Sequence, residues 1–380
     1  MTDDTRREGI TRRDALKLLG AGATAMVWPA VAAAAPTFPP GAVIRTVLKD
    51  YAPDELAGAA TLFHEHLSFA ADFMTRWNAS AADTRAVHAL PGPQPTRPTP
   101  APAPPPPASL GGRYFMQAAE YQTEELRLAK ADGIGCIVDG GHPDMGRDIG
   151  FLTALSRESG MPIVAGAGFY AQPFYPREIA TMSEDQIVEA LVRQATTDPV
   201  GVFGEIGSWD YITRDERKVF RAVGRAHLAT GLPIFTHTGI PGKSALEQLD
   251  LLEDVGVDPR RVVIGHLGNL TDASVEVHRT VCRRGAFVGF DRQGGPGDAQ
   301  QVPLVLKLLE AGYADHLLFA ADLSSVTQTR QAGGAGYGKT LTVFVPKLKA
   351  AGADDAVLRQ IVQDNPRRFL ACVPKIARAR

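Results

Sequence analysis

Residues 202–267 decide the fold, because one pattern repeats there in full. Short apolar segments that favour strands alternate with longer segments whose apolar residues recur every three or four positions, as in helices. In chain order the segments are VFGEIG (202–207), RDERKVFRAVGRAHLAT (214–230), PIFTHT (233–238), ALEQLDLLEDV (245–255) and RVVIGHL (261–267). Strands that are separated by helices pair in parallel, so this region predicts a parallel sheet covered by helices.

The alternation continues on both sides of this region. Further strand-like runs lie at 61–67, 136–140, 162–170, 286–292 and 316–323, and a further helical pattern lies at 302–311. Glycines expected to end helices follow the helical stretches at Gly160, Gly231, Gly256, Gly285 and Gly312. Eight such units predict a single-domain TIM-type (β/α)₈ barrel, with a doubly wound open sheet as the alternative. We favour the barrel because residues of metal-binding type recur at strand ends, where barrel enzymes hold their active sites.

Length, charge and cysteine content narrow the class of protein. The 380 residues could form two average domains, or one barrel of about 250 residues or more with additions. A formal net charge of −2 lacks the basic surplus that is typical of nucleic-acid binding. Cys136, Cys282 and Cys372 are widely separated and odd in number, so they predict buried free thiols rather than a disulfide framework or a zinc ribbon.

The N-terminal segment predicts export. TRRDALK (11–17) precedes an apolar run at 18–31, and AAAA (32–35) follows it. This order is typical of a removable signal, and the apolar run is too short for a comfortable membrane anchor. Arg12 and Arg13 resemble the pair in a twin-arginine signal, with an ordinary secretory signal as the alternative. We therefore expect an export signal at 1–35, a barrel at 36–380, a periplasmic location and no membrane anchor after the signal is removed.

A proline-rich stretch interrupts the pattern after the first strand. Residues 91–107 are dominated by proline and include PPPP (104–107). Such sequence favours extended polyproline II and offers little to bury, so we expect a solvated loop at approximately 90–108, inserted within one domain. A site for a proline-recognising partner is the alternative.

Polar residues at strand ends predict a metal site. His64 and His66 are two apart in the first strand, so their side chains share a face while Glu65 points the other way. Glu205 lies inside an apolar strand, where a buried carboxylate needs a metal, a cation or several hydrogen bonds. Three more strands end in residues of the same kind: His237, His266 and Asp322. These residue types supply the nitrogen and oxygen ligands of zinc and similar ions, and a set of satisfied core polar groups is the alternative.

The remaining histidines carry weaker expectations. His227 and His278 lie in helical patterns and are expected at the surface. His316 opens a strand at its structural end, and His88 precedes the proline-rich stretch. His142 follows the second strand at the catalytic face and is a candidate for substrate contact.

Taken together, these motifs resemble the phosphotriesterase family of the amidohydrolase superfamily. The likeness extends over about 42–369, and each motif alone has little specificity. The motifs are TLFHEH (61–66), VD (138–139) with GRD (146–148), VAGAGFY (164–170), GEIG (204–207), THT (236–238), IGHLG (264–268), AD (321–322), GAGYG (334–338) and NP (365–366).

The resemblance implies a ligand set for two divalent metals. His64, His66 and Asp322 would bind the more buried ion, and His237 and His266 the more exposed one. Phosphotriesterases and related lactonases bridge the two ions with a carboxylated lysine, but the fourth strand has no lysine. Glu205 stands where phosphotriesterase homology proteins place a bridging glutamate, although Gly204 could align with the lysine instead. Zinc, manganese, cobalt and iron all suit these ligands.

The resemblance also implies a reaction. GHLG (265–268) and GFDR (289–292) are similar to segments of phosphotriesterase-like lactonases, in which a tyrosine and an arginine line the substrate pocket. Tyr170 and Arg292 take those places here, with packing and a salt bridge as their alternatives. We expect a hydrolase that cleaves a lactone or a carboxylic ester by water activated at the metals, with Asp322 as proton acceptor. The alternatives are phosphotriester cleavage, amide or cyclic-imide hydrolysis, and a periplasmic metal-binding protein without turnover; a homodimer is expected from the resemblance only.

Overall fold

The structure is a computed structural model that describes residues 35–87, 114–239, 244–270, 272 and 274–378. The predicted export signal, except its last residue, and the proline-rich stretch lie outside these ranges, as does His88. The export signal and the insertion therefore stay predictions. Within the described residues, no helix combines the length and the apolar character needed to span a bilayer.

Eight parallel strands form one sheet, and each pairs with the next along the chain. The strands are β1 (Ala60–Glu65), β2 (Ile134–Asp139), β3 (Ile163–Ala167), β4 (Val200–Ser208), β5 (Ile234–Thr238), β6 (Val262–Ile264), β7 (Phe287–Phe290) and β8 (Leu317–Phe319). Between β8 and β1 the described residues form no ladder, but Asp322 N donates a hydrogen bond to His64 O at 3.3 Å just beyond the strands. The sheet is thus a nearly closed TIM-type barrel, as predicted, and its sequential strand order excludes the doubly wound alternative.

Helices cover the outside of the barrel. They are α1 (Phe73–Val87), α2 (Ala119–Ala131), α3 (Ile149–Ser159), α4 (Glu184–Thr197), α5 (Arg214–Thr230), α6 (Ala245–Glu253), α7 (Glu276–Arg283), α8 (Asp298–Glu310), α9 (Val345–Ala350), α10 (Asp355–Arg359) and α11 (Asn365–Leu370). Two π-helical turns, Thr340–Phe344 and Gln360–Asp364, lead into α9 and α11. A two-residue antiparallel pair, Ile44–Arg45 with Asp50–Tyr51, precedes the barrel.

Local sequence sets the ends of the helices. Helix α5 begins at a capping box, in which Thr213 accepts from Glu216 N and the Glu216 side chain accepts from Thr213 N. It ends at Gly231, whose φ of 81° lies in the left-handed region that favours glycine. Gly160 ends α3 in the same way, so the predicted helix stops are confirmed at both places.

Two histidines that we expected at the surface are buried, so that prediction is wrong. His227 of α5 is 7% exposed, and its Nδ1 lies 2.6 Å from Leu232 O. His278 of α7 is fully buried, and its Nε2 lies 2.9 Å from Leu267 O. Each buried ring hydrogen-bonds a backbone carbonyl outside its own helix, a contact that helical periodicity alone does not reveal. The three cysteines are buried and free, as predicted.

Close backbone contact between strands fixes the path of the chain before His266. Gly265 follows β6, and a Cβ placed on it would lie 2.1 Å from Thr236 O of β5. Because the obstructing atom belongs to the backbone, no side-chain rotation could relieve the clash. Gly265 therefore allows the chain to reach the position from which His266 enters the barrel.

We predict that Gly265→Ala lowers the free energy of unfolding by about 1–3 kcal/mol, the usual cost of overpacking a core. Gly295→Ala is the matched control, because a Cβ on Gly295 would meet no atom within 4 Å. Denaturant unfolding of the two variants checks the prediction. Equal stability of the two variants would contradict it.

Candidate metal centre

Six side chains converge at the C-terminal end of the barrel, called here the barrel mouth. His64, Glu205 and His237 lie in β1, β4 and β5, while the other three lie just beyond strand ends. The six are the residues predicted as metal ligands: His64, His66, Glu205, His237, His266 and Asp322. Five are almost fully buried, and the side chain of Asp322 is 9% exposed. The structure therefore brings together every residue of the predicted set.

The carboxylate of Glu205 lies at the centre of this group. Its Oε2 is 3.2 Å from His64 Nε2, 2.8 Å from His237 Nδ1 and 3.5 Å from His266 Nε2. Its Oε1 is 3.2 Å from His66 Nε2. Burial by itself raises the pKa of Glu205, but the charges of His64 and His237 hold that pKa well below its ordinary value. Glu205 thus contacts all four imidazoles, which is the geometry expected of a bridging group.

Asp322 and Arg292 close one side of the cluster. Asp322 Oδ1 lies 3.2 Å from His66 Nε2, and Asp322 Oδ2 accepts from Arg292 Nε at 2.9 Å. Arg292 also reaches His266, with 3.2 Å between Nη2 and Nε2. The alternative expected for Arg292, a salt bridge to a neighbouring acid, is therefore present, but the acid is Asp322 of the cluster itself.

Asp291 is a residue of this site that the sequence analysis missed. Its Oδ2 lies 3.0 Å from His64 Nδ1, and its Oδ1 lies 2.7 Å from His266 Nδ1. A carboxylate that binds one ring nitrogen fixes the tautomer and turns the other nitrogen toward a metal. The signal was present in GFDR (289–292), where an acidic residue follows an apolar strand in the same manner as Asp322.

Glu65 is the second residue that was missed. It points away from His64 and His66, as predicted, and its buried carboxylate accepts from Ala321 N at 2.6 Å and from Leu323 N at 3.0 Å. These amides flank Asp322, whose φ of 46° lies in the left-handed region. A non-glycine residue there costs about 1–3 kcal/mol and persists only when its surroundings hold it. Burial raises the pKa of Glu65 to about 7.

Tyr170 lies beside His237, as expected for a residue of the pocket. Its hydroxyl is 3.2 Å from His237 Nδ1 and accepts from Trp77 Nε1 at 2.9 Å. Burial raises the pKa of Tyr170 well above its ordinary value, so the hydroxyl keeps its proton. His142 is fully buried, and neither ring nitrogen is hydrogen-bonded to a described residue. Its suggested contact with substrate stays a prediction.

The chemistry of the cluster fits a pair of divalent metals. Its donor atoms form overlapping groups, and within each group the atoms lie within 4.8 Å of one another. One group contains Glu205 with His64 and His66, and another contains Glu205 with His237 and His266. Nε2 of His64 is buried and lies 3.2 Å from Glu205 Oε2, but it forms no hydrogen bond with any described residue. Buried polar atoms are rarely left unpaired, and this nitrogen is oriented toward the carboxylate by Asp291. The cluster is thus consistent with a binuclear site, while the identity of the metals stays open.

Comparisons with known proteins agree with this geometry. A sequence model of the phosphotriesterase family matches residues 45–370. N-acetyltaurine hydrolase from Pongo abelii is 31% identical over 274 residues, which cover 67% of this chain and 78% of that protein. The crystal structure of phosphotriesterase homology protein from Escherichia coli, complexed with phosphate in its active site, has a TM-score of 0.68 and is 26% identical in sequence. The match covers 82% of this chain and 98% of the Escherichia coli chain. The lactonase Lmo2620 from Listeria monocytogenes is similar in fold, with a TM-score of 0.70 at 23% identity. The match covers 86% of this chain and 98% of the lactonase chain.

We predict that Asp291→Asn weakens divalent-metal binding about 10- to 100-fold, the usual effect of removing a carboxylate that orients a ligating histidine. Competition with a chelator, followed by metal analysis, measures the affinity. Asp298→Asn is the matched control, because Asp298 is equally buried but pairs with Lys347 instead of a histidine. An affinity of Asp291→Asn equal to that of this control would show that Asp291 does not orient the ligands.

Proposed function

Because this chain belongs to the phosphotriesterase family, we propose that it is a binuclear metal hydrolase that cleaves carboxylic acyl bonds. The first candidate bond is the amide of an N-acyl compound, and the second is a lactone or carboxylic ester. One observation carries the proposal: the carboxylate of Glu205 lies among four imidazoles, with Asp322 beside them. A metal-dependent hydrolase needs such a ligand set together with a nearby proton acceptor.

In the proposal, the six clustered side chains divide between two ions. His64, His66 and Asp322 would hold one ion and His237 with His266 the other, while Glu205 serves both. When bound, divalent ions at such a site lower the pKa of a water molecule and polarise the oxygen of the bond to be cleaved. Nitrogen and oxygen donors of this kind suit zinc, manganese, cobalt or iron.

Asp322 is the proposed proton acceptor. As water attacks the acyl carbon, one of its protons passes to a carboxylate oxygen of Asp322. When the C–N or C–O bond breaks, the leaving nitrogen or oxygen takes that proton, so Asp322 ends the cycle ionised. Arg292 holds Asp322 in position, because its guanidinium binds Oδ2 while Oδ1 faces His66.

Tyr170 is the proposed partner of the developing oxyanion. Its hydroxyl oxygen already accepts from Trp77 Nε1, so the phenolic proton is directed away from Trp77, on the side that faces His237. The hydroxyl lies 3.2 Å from His237 Nδ1, close to where the acyl oxygen would be held. Donors aimed at the position of developing charge stabilise a tetrahedral intermediate.

Different observations favour the two candidate bonds. The amide is favoured by the likeness to N-acetyltaurine hydrolase at 31% identity. The lactone or ester, which was the first expectation from the sequence, is supported by Tyr170 and Arg292 beside the cluster. The fourth strand lacks the bridging lysine of phosphotriesterases and related lactonases, which disfavours phosphotriester cleavage and weakens the support for a lactone. A metal-binding protein without turnover would have no need of the Asp322 proton acceptor.

The proposal also includes the location of the protein and its oligomeric state. Export to the periplasm through residues 1–35 is supported by the sequence pattern alone. The homodimer stays a prediction from the family resemblance.

We predict that the metal-loaded protein hydrolyses N-acyl amides, lactones or carboxylic esters faster than phosphotriesters. The assay compares kcat/KM over panels of these four classes, with the protein treated with chelator as control. Turnover that is restored to the chelated protein by zinc, manganese, cobalt or iron is expected. Phosphotriesters as the best class, or no turnover in any panel, would contradict the proposal.

We predict that Asp322→Asn lowers kcat by at least about a hundredfold, because an amide cannot accept the proton. Most of the metal should remain bound, since the four histidines and Glu205 are unchanged. Metal analysis and turnover are measured on the same preparation, and Asp298→Asn again provides the control of a buried aspartate elsewhere. Near-normal turnover in Asp322→Asn would refute the role assigned to it.

A further inference from the structure

Two tryptophans from distant parts of the chain meet at the barrel mouth. Trp77 lies on α1, in the connection after β1, and Trp209 directly follows β4, four residues after Glu205. Their ring centroids are 5.6 Å apart, with an angle of 57° between the ring planes. Trp77 is half-buried, and Trp209 is 8% exposed.

The tryptophan rings and Tyr170 pack around His237 of the candidate metal centre. Trp209 meets the ring of His237 at 5.7 Å and 87°, and Tyr170 meets the same ring at 5.0 Å and 82°. Trp77 joins both neighbours, because it packs on Trp209 and donates from Nε1 to the hydroxyl of Tyr170. Trp77, Tyr170 and Trp209 thus form a continuous aromatic wall beside His237.

Further aromatic packing supports the wall from behind. Phe73 lies one helical turn before Trp77, and its ring is 5.7 Å from that of Tyr170. Phe174 lies 5.2 Å from Tyr170 and 4.9 Å from Phe73. Rings that interlock in this way are held in place, so the wall is in position before a ligand arrives.

The wall also contains a hydrogen-bond donor that is not used. Nε1 of Trp209 is buried, yet no described residue accepts a hydrogen bond from it. A buried indole N–H normally finds a partner, and leaving it unpaired costs free energy. Trp77 differs, because its own N–H is bonded to Tyr170. An oxygen of a ligand seated on the wall would satisfy Trp209.

We propose that the aromatic wall is a substrate subsite that takes a neutral, apolar ring or branched alkyl group carrying a hydrogen-bond acceptor. The subsite lies beside His237, so the group it holds would be attached close to the acyl carbon that water attacks. Uncharged aromatic faces favour apolar groups over charged ones such as a sulfonate. The proposal rests on the proposed function, since it names the class of substrate for that same site.

The tryptophan content of the chain makes the wall directly observable. The sequence has three tryptophans, and Trp28 belongs to the N-terminal segment outside the described residues. In the full chain with Trp28→Phe, all tryptophan emission therefore comes from Trp77 and Trp209. Phenylacetate and acetate are the probes, because they share the carboxylate and differ by one phenyl ring.

We expect phenylacetate to change the tryptophan emission of the metal-loaded protein and to bind about tenfold more tightly than acetate, since an aromatic contact is worth about one such factor. Calorimetric titration measures both dissociation constants. Trp209→Ala should abolish this preference, and Trp209→Phe should keep part of it while losing the N–H donor. Tyr211→Ala is the control from the same loop, because Tyr211 is 59% exposed and lies outside the wall.

The outcomes of these experiments distinguish failure of the subsite from failure of the hydrolase. Equal affinity for phenylacetate and acetate, or a preference that survives undiminished in a folded Trp209→Ala variant, would overturn the subsite and leave the hydrolase untouched. The preference for phenylacetate without turnover in any substrate panel would overturn the hydrolase and leave the subsite standing. Turnover that is faster on substrates with a phenyl group than on matched substrates with a sulfonate supports both.

Discussion

The structure depends on one electrostatic constraint: the carboxylate of Glu205 is buried inside the barrel. A carboxylate at that depth is unstable unless cations or hydrogen-bond donors surround it. Four imidazoles, from β1 and the residue after it, from β5 and from the segment after β6, meet that need, and bound metals would meet it more fully. The strands must therefore close around Glu205 in one register, because a shift of one residue would turn its side chain away.

A second ring of carboxylates connects this centre to the closure of the barrel. Asp291 joins His64 of the first strand to His266 beyond the sixth, and Glu65 joins the first strand to the amides on either side of Asp322. Each of these acids is buried and each spans elements that are distant in sequence. The same hydrogen bonds that hold the ends of the sheet together thus also hold the candidate ligands in position. Stability and site geometry are, for this reason, difficult to separate in this protein.

The repeating features of the fold could be predicted from the sequence, because strand and helix periodicity are local. All eight strands were predicted, and the six clustered residues were found because each follows or interrupts an apolar run. Asp291 was missed although it follows an apolar strand as Asp322 does, and Glu65 was missed because its partners, the amides of Ala321 and Leu323, lie far away in the chain. His227 and His278 were misplaced because helical patterns do not report which carbonyls lie nearby. The meeting of Trp77 with Trp209 was also hidden, since one lies in a long connection and the other after a strand.

The location of helix α1 has a consequence for how this protein could diverge. The candidate ligands lie in or directly beyond barrel strands, whereas Trp77 lies in the connection between β1 and α2. Under the proposed role of the aromatic wall, mutation or recombination confined to that connection would produce new chemical preferences while the candidate ligands are inherited intact. Chains with identical ligand sets would then act on unrelated compounds, and the connection after the first strand would be the place to read the difference.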